Sequence, residues 1–239
     1  MNSFTQIFKS AAVVGGVLLA GANAFALTDG PYTVAFPIGG GTQALDFSNT
    51  MTLPKFNVAG GTLTSITLTL NGNLTASQKF ENTSGGGSAS INLSSQGTMT
   101  LKRPDTTTLV ITVPTVTNSK VVTAFDNSID FGGTSGFTFA DTSSSLSNTQ
   151  SYSGGADLAL FSGAGTISLP VTAVGSSSGT GSANLITQFA LVGSASASVT
   201  YTYSVAAVPE ASTYGAIGAV SLVGFLGYRR SRNKAAAKA

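Results

Sequence analysis

Hydrophobic positions in the middle of this chain recur every second residue. In Leu63-Thr64-Ser65-Ile66-Thr67-Leu68-Thr69-Leu70, the residues Ile66, Leu68 and Leu70 share one face and threonine occupies the other. That is the pattern of a strand with one side in a core and one in water. Asn71-Gly72 follows. This pair suits the positive φ angles of a type I′ turn, so a hairpin is expected there. Its return strand is Asn73–Phe80, with Leu74, Ala76, Gln78 and Phe80 on one face. The same period marks Ala89-Ile91-Leu93, Met99-Leu101, Leu109-Ile111-Val113 and Ile167-Leu169-Val171-Ala173. It returns in Leu185–Leu191 and in Ala197-Val199-Tyr201-Tyr203. No helical period stands out between 27 and 207. Gly85-Gly86-Gly87 and Ser176–Gly181 read as loops rather than linkers, because the runs on either side are alike. Roughly eight to eleven strands with Gly/Ser-rich turns predict an all-β fold, a two-layer antiparallel β-sandwich in one domain over 27–207.

The two ends of the chain follow a different pattern. Lys9 precedes an uncharged stretch, Ala11–Ala22, and two overlapping A-x-A sites follow, Ala22-Asn23-Ala24 and Ala24-Phe25-Ala26. Residues 1–26 therefore read as a signal peptide, with Ala24 and Ala26 marking signal cleavage, which is expected after Ala26. At the other end Val208-Pro209-Glu210-Ala211 leads into Ser212–Tyr228, which carries no charge. Arg229, Arg230, Arg232 and Lys234 then form a basic tail, 229–234. As a helix, residues 211–228 would be about 27 Å long, close to the roughly 30 Å of a bilayer core. A transmembrane helix over 212–228 is expected, with the basic cluster stopping transfer on the cytoplasmic side. Pro209 fixes φ and blocks helix continuation, so the motif is presented as extended backbone outside the membrane.

Composition sharpens this. Charged residues are 8% of the chain, against roughly 25% in an ordinary soluble domain. Ser and Thr number 32 each. Hydroxyls, amides and backbone must therefore solvate the surface. Between Leu27 and Ala207 there are five Lys/Arg against eight Asp/Glu, a net of −3. The overall +2 thus comes from the ends, and the body offers no basic patch for nucleic acid. The absence of Cys excludes a disulfide framework, a thiolate metal site and a Cys nucleophile. The absence of His excludes a Ser-His-Asp triad and removes the commonest metal ligand.

The Pro-Glu motif, apolar segment and Arg-rich tail resemble the PEP-CTERM sorting signal of Gram-negative bacteria. Val208, Pro209 and Glu210 match its usual V-P-E-P, Ala211 stands in place of the second Pro, and Ser212-Thr213-Tyr214 is similar to the usual continuation. The resemblance implies recognition of Pro209 and Glu210 by an exosortase, an integral-membrane transpeptidase. The body is similar to the choice-of-anchor E domain often found ahead of such tails. The similarity rests on Gly61–Leu70, Glu81-Asn82-Thr83-Ser84, Asp130–Gly136, Asp157-Leu158-Ala159-Leu160-Phe161 and Val199–Tyr203. It implies a secreted domain and no particular reaction.

Few residues in the body suggest chemistry. Asp126 and Asp130, ahead of Phe131-Gly132-Gly133, are a weak Ca²⁺ candidate in a D-x-x-x-D-x-G arrangement. The competing reading is a turn in which Asp and Asn bond their own backbone. A glycosidase pair would have to come from the eight carboxylates, without a Trp platform. Tyr201 and Tyr203 share a strand face and suit either core packing or stacking on sugars. Taken together, the sequence predicts a non-enzymatic, cofactor-free surface or matrix protein. Its expected partners are an exosortase, the membrane in transit and extracellular polysaccharide. The alternative is a carbohydrate-binding module with a defined glycan ligand.

Overall fold

The computed structural model describes residues 26–206 and 211–236. Strand periodicity in the body resolves into two antiparallel sheets. One is built on β4 (Gly61–Asn82) and β11 (Leu185–Val205). Beside β11 lie β1 (Ala26–Phe36) and the short β2 (Gln43–Ala44). Beside β4 lie β8 (Gly136–Thr138) and β9 (Thr142–Tyr152). The other sheet runs from β3 (Phe47–Pro54) through β10 (Thr166–Thr180) to β5 (Ala89–Lys102), with β6 (Thr108–Thr112) and β7 (Thr115–Val122) both against β5. The all-β, two-sheet reading of the sequence is thus the observed architecture.

The core lies between the sheets. Ile66, Leu68, Leu70 and Leu74 of β4 meet Met99 and Leu101 of β5, Leu169 and Val171 of β10, and Val199 and Tyr201 of β11 in one cluster. A smaller cluster gathers Phe80, Ile91, Leu93 and Val122. Buried Gln78 and Ser95 stand between the two clusters along β4 and β5. Gln78 Nε2 donates to Ser95 Oγ at 2.8 Å, Asn118 Nδ2 donates to Gln78 Oε1 at 2.9 Å, and Ser95 Oγ lies 2.9 Å from Ser177 Oγ. Four strands are tied by these bonds, and the buried amide is satisfied at both ends, as its low exposure demands.

Four expectations need correction. Asn71-Gly72 is not a turn: β4 is a single strand of 22 residues, about 70 Å long at 3.3 Å per residue. Gly72 is needed for close approach, since a Cβ there would stand 2.7 Å from both Met99 Sδ and Thr112 Cγ2. Ser176–Thr180 are not loop but the end of β10, paired from Ser176↔Gln96 to Thr180↔Asn92. Only Gly181 turns the chain, at φ +120°. The Leu109-Ile111-Val113 face is broken by a register shift between Leu101 and Lys102. Leu109 and Val110 are both buried as a result, and Ile111 is exposed. Finally, the body holds one short helix, α1 (Gly155–Phe161), whose Phe161 is fully buried. Its Asp157 is ion-paired with Arg103.

The register also places the ends. Ala26 pairs with Ser204, so the first and last residues of the body leave from one pole. At the opposite pole, where Asn82 pairs with Leu185, lie the turn 83–88, the turn 181–184 and the long loop 123–135.

Candidate functional site

Val208, Pro209, Glu210 and Ala24 lie outside the described residues. Ala26 opens β1, and Ala211 opens a second helix, α2 (Ala211–Ala236). Arg229 and Arg230 are exposed on α2, and the helix continues through positions 232 and 234. Val220, Leu222, Val223, Phe225, Leu226 and Tyr228 are exposed as well. Four glycines dilute its hydropathy. Among the described residues no helix is long and apolar enough to cross a membrane.

Asp126 and Asp130 sit in the loop between β7 and β8, and both carboxylates turn inward onto the loop's own backbone. Asp126 accepts from Ser128 N at 3.1 Å through Oδ1 and from Thr134 N at 3.2 Å through Oδ2. Those N–H bonds, Ser128 first, hold its carboxyl below the usual carboxylate range. Asp130 Oδ1 accepts from Gly132 N at 2.8 Å. Two such carboxylates fall short of the six to eight oxygens of a Ca²⁺ site. Among the described residues no group of three or more His, Cys, Asp or Glu is placed to hold a metal. Sequence reasoning missed the residue that anchors this loop. Glu81 of β4 is fully buried, with Phe131 N donating to Oε2 at 2.8 Å and Ser135 Oγ donating to Oε1 at 2.6 Å.

Tyr201 is likewise buried, between Phe56 and Tyr32, with ring centroids 5.8 and 6.4 Å away. Burial pushes its phenol well above the ordinary value. Its hydroxyl donates to Pro54 O at 2.5 Å, tying one sheet to the other. Tyr203 packs on Phe56 at 5.2 Å. The buried Tyr201 ring is not free to stack on a sugar. Tyr201→Phe is expected to lower stability by about 1 kcal/mol. Urea unfolding should show a lower midpoint with the slope unchanged.

Outside the core, the two sheets present faces of one chemical kind. In the rows from Thr67 to Thr75 of the β1–β11–β4 sheet, every outward residue on β4, β9 and β11 except Val192 is Ser, Thr or Asn. They bond laterally. Thr69 Oγ1 lies 2.9 Å from Thr149 Oγ1, Asn71 Nδ2 donates to Ser196 Oγ at 3.3 Å, and Ser145 Oγ donates to Asn73 Oδ1 at 2.6 Å. Such cross-strand pairs each contribute a few tenths of a kcal/mol. The outer face of the other sheet carries a local hollow. A trough of about 330 Å³ runs over β5 between β7 and β10. Asn92 and Ser94 form its floor, Thr117 and Ser119 one wall, Ser178 and Thr180 the other. A second hollow, of about 250 Å³, lies between Leu45, Asp46, Ser176 and Phe189.

The eight carboxylates of the body are each engaged by a separate partner. Asp29, for example, accepts from Tyr32, Asp46 from Gly175 N, Asp105 from Thr107 N and Asp141 from Ser77.

No protein-family model matches this sequence, and no curated protein does. Among solved structures, the fold is similar at a distance to the infectious bursal disease virus Gx strain structure. The TM-score is 0.26 and the identity 17%, over 78% of this chain and 38% of that one. A VP2 subviral particle of the same virus gives 0.24 and 18%, over 78% and 37%. This chain thus spans well under half the length of the structures it matches.

Proposed function

We propose that this is an exported surface or matrix protein: a β-sandwich body delivered by a cleaved signal peptide, held in the inner membrane through 212–228, and sorted from there by an exosortase that reads Val208-Pro209-Glu210-Ala211. On this reading the body then resides on the cell surface or in the extracellular polysaccharide and acts structurally or adhesively, without catalysis. The observation that carries the proposal is the order of segments at the C-terminus. A Pro-Glu motif follows within a few residues of the last strand, Leu185–Val205, and an uncharged stretch and four basic residues come next. Two features of the body support it. The pairing of Ala26 with Ser204 brings the first and last residues of the body together. The apolar side chains of α2 are exposed along 220–228, and a bilayer would cover them.

The test is expression in a host with and without exosortase, followed by intact-mass measurement of the membrane and secreted fractions. The expected mature form begins at Leu27. It loses α2 when exosortase is present and keeps it when the enzyme is absent or when Glu210 is replaced by Ala. A C-terminus that stays intact in both strains overturns the sorting proposal.

A further inference from the structure

We propose that the trough on the outer face of the five-stranded sheet is a binding site for a neutral, unbranched glycan. This inference deepens the matrix role proposed above and rests on it for its biological setting, though not for its chemistry.

The trough's volume of about 330 Å³ lies at the lower end of the roughly 300–1,000 Å³ of ligand pockets. That is room for one or two sugar rings. Six side chains converge on it: Asn92, Ser94, Thr117, Ser119, Ser178 and Thr180. Each is a hydroxyl or a primary amide, able both to donate and to accept. Pyranose hydroxyls have the same double capacity, so every group on the wall can find a partner whichever way the ring lies. The register fixes their positions. Ser119–Asn92–Thr180 form one row across three strands and Thr117–Ser94–Ser178 the next. All six positions lie within paired strands, so little ordering is needed on binding.

Charge decides the class of ligand. No Asp, Glu, Lys or Arg stands on this face of β5 from Ser90 to Thr100 or of β10 from Ser168 to Thr180. An acidic polysaccharide or a phosphate would meet no cation here, and a basic polymer would meet no carboxylate. A neutral glycan loses nothing by that. One further feature fits. Val121, on β7 two residues beyond Ser119, is exposed at 66%. Side chains two apart on a strand share a face, so its methyl groups lie beside the trough where the C–H face of a following sugar would rest. With no aromatic platform the affinity comes mainly from hydrogen bonds, and repeated contacts along a long polymer supply the avidity.

The experiment is titration calorimetry on the full-length purified protein with cellohexaose, laminarihexaose and mannohexaose as neutral probes and an alginate hexamer as the acidic one. The expected result is saturable binding of at least one neutral hexamer. Its affinity should be unchanged between about 0.05 and 0.5 M NaCl, and alginate should be silent. The double variant Asn92→Ala/Ser94→Ala should weaken that binding roughly tenfold. Thr69→Ala, on the outer face of the other sheet, should leave it unchanged. The three proteins should melt together, which separates loss of contacts from loss of fold. Silence with every neutral hexamer overturns the inference, as does binding indifferent to the double variant or a preference for alginate that fades with salt. Any of these, in a protein still processed and displayed, removes the glycan site and leaves the sorting proposal standing. Loss of processing with glycan binding intact does the reverse.

Discussion

Gly181→Ala is expected to cost about 3 kcal/mol of folding stability and to lower the melting temperature by roughly 6–12 °C. Gly181 ends β10 and starts the turn by which the chain crosses from the five-stranded sheet to β11 in the other. Two costs add there. Its φ of +120° lies where L side chains are strained, and a Cβ would stand 1.9 Å from the carbonyl oxygen of Ser90. The obstacle is backbone, in the first residues of β5, so no side-chain rotation relieves it. Either the turn or the start of β5 must shift, and both border the small core cluster around Phe80 and Ile91. Gly85→Ala is the matched control, because a Cβ there meets nothing within 4 Å. Thermal unfolding followed by circular dichroism should separate the two variants clearly. Equal melting temperatures would mean that the turn does not approach β5 as described.

How much of this was legible beforehand depended on where the period of two survived. It survived in β4, where the reading nevertheless went wrong at one point. In a two-residue hairpin at Asn71-Gly72, residues 70 and 73 would pair and share a face, so the inward set would switch from even to odd positions. Instead Ile66, Leu68, Leu70, Leu74, Ala76, Gln78 and Phe80 stay even throughout and are all buried. The unbroken parity was the stronger signal, and it outweighs the turn preference of the dipeptide. The end of β10 was illegible for the opposite reason. Its inward positions there are Gly175, Ser177 and Gly179, so no hydrophobic alternation remained to be seen. α1 escaped notice because seven residues are too few for a helical period to show. The trough draws on three segments far apart in the chain, and only their register brings them together. The sequence carried one part of it, namely hydroxyl and amide residues at every second position with no charge among them.

Glu81 could not be read from the sequence at all, and its removal is the other change with a large expected effect. Its carboxylate is fully buried, and Lys79 Nζ sits over the Phe131 ring at 4.4 Å. Burying a carboxyl group among neutral donors is costly unless the bonds are good. Here they are short, at 2.8 and 2.6 Å, and they add to the bonds that Asp126 and Asp130 make within the loop. Phe131, whose N–H donates to Glu81, has φ +57°, a region that costs a bulky residue about 1–3 kcal/mol. Asn127 in the same loop is at +71°. Glu81→Ala removes the desolvation cost but leaves the Phe131 N–H and the Ser135 hydroxyl without an acceptor. The second effect wins, because those donors reach water only if the loop opens, and the net loss is expected to be about 3 kcal/mol. Glu81→Gln keeps the volume and one acceptor but turns an amide N–H toward a donor, so it should fall between Ala and the wild type. The consequence should be local as well as global. By hydrogen exchange with mass spectrometry, peptides covering 123–136 should lose protection in both variants, while those from the middle of β4 and β11 keep theirs near the global limit. Loop peptides that exchange at the wild-type rate in Glu81→Ala would show that the loop is held by its own turns, and that the buried carboxylate does not organise the pole farthest from the chain ends.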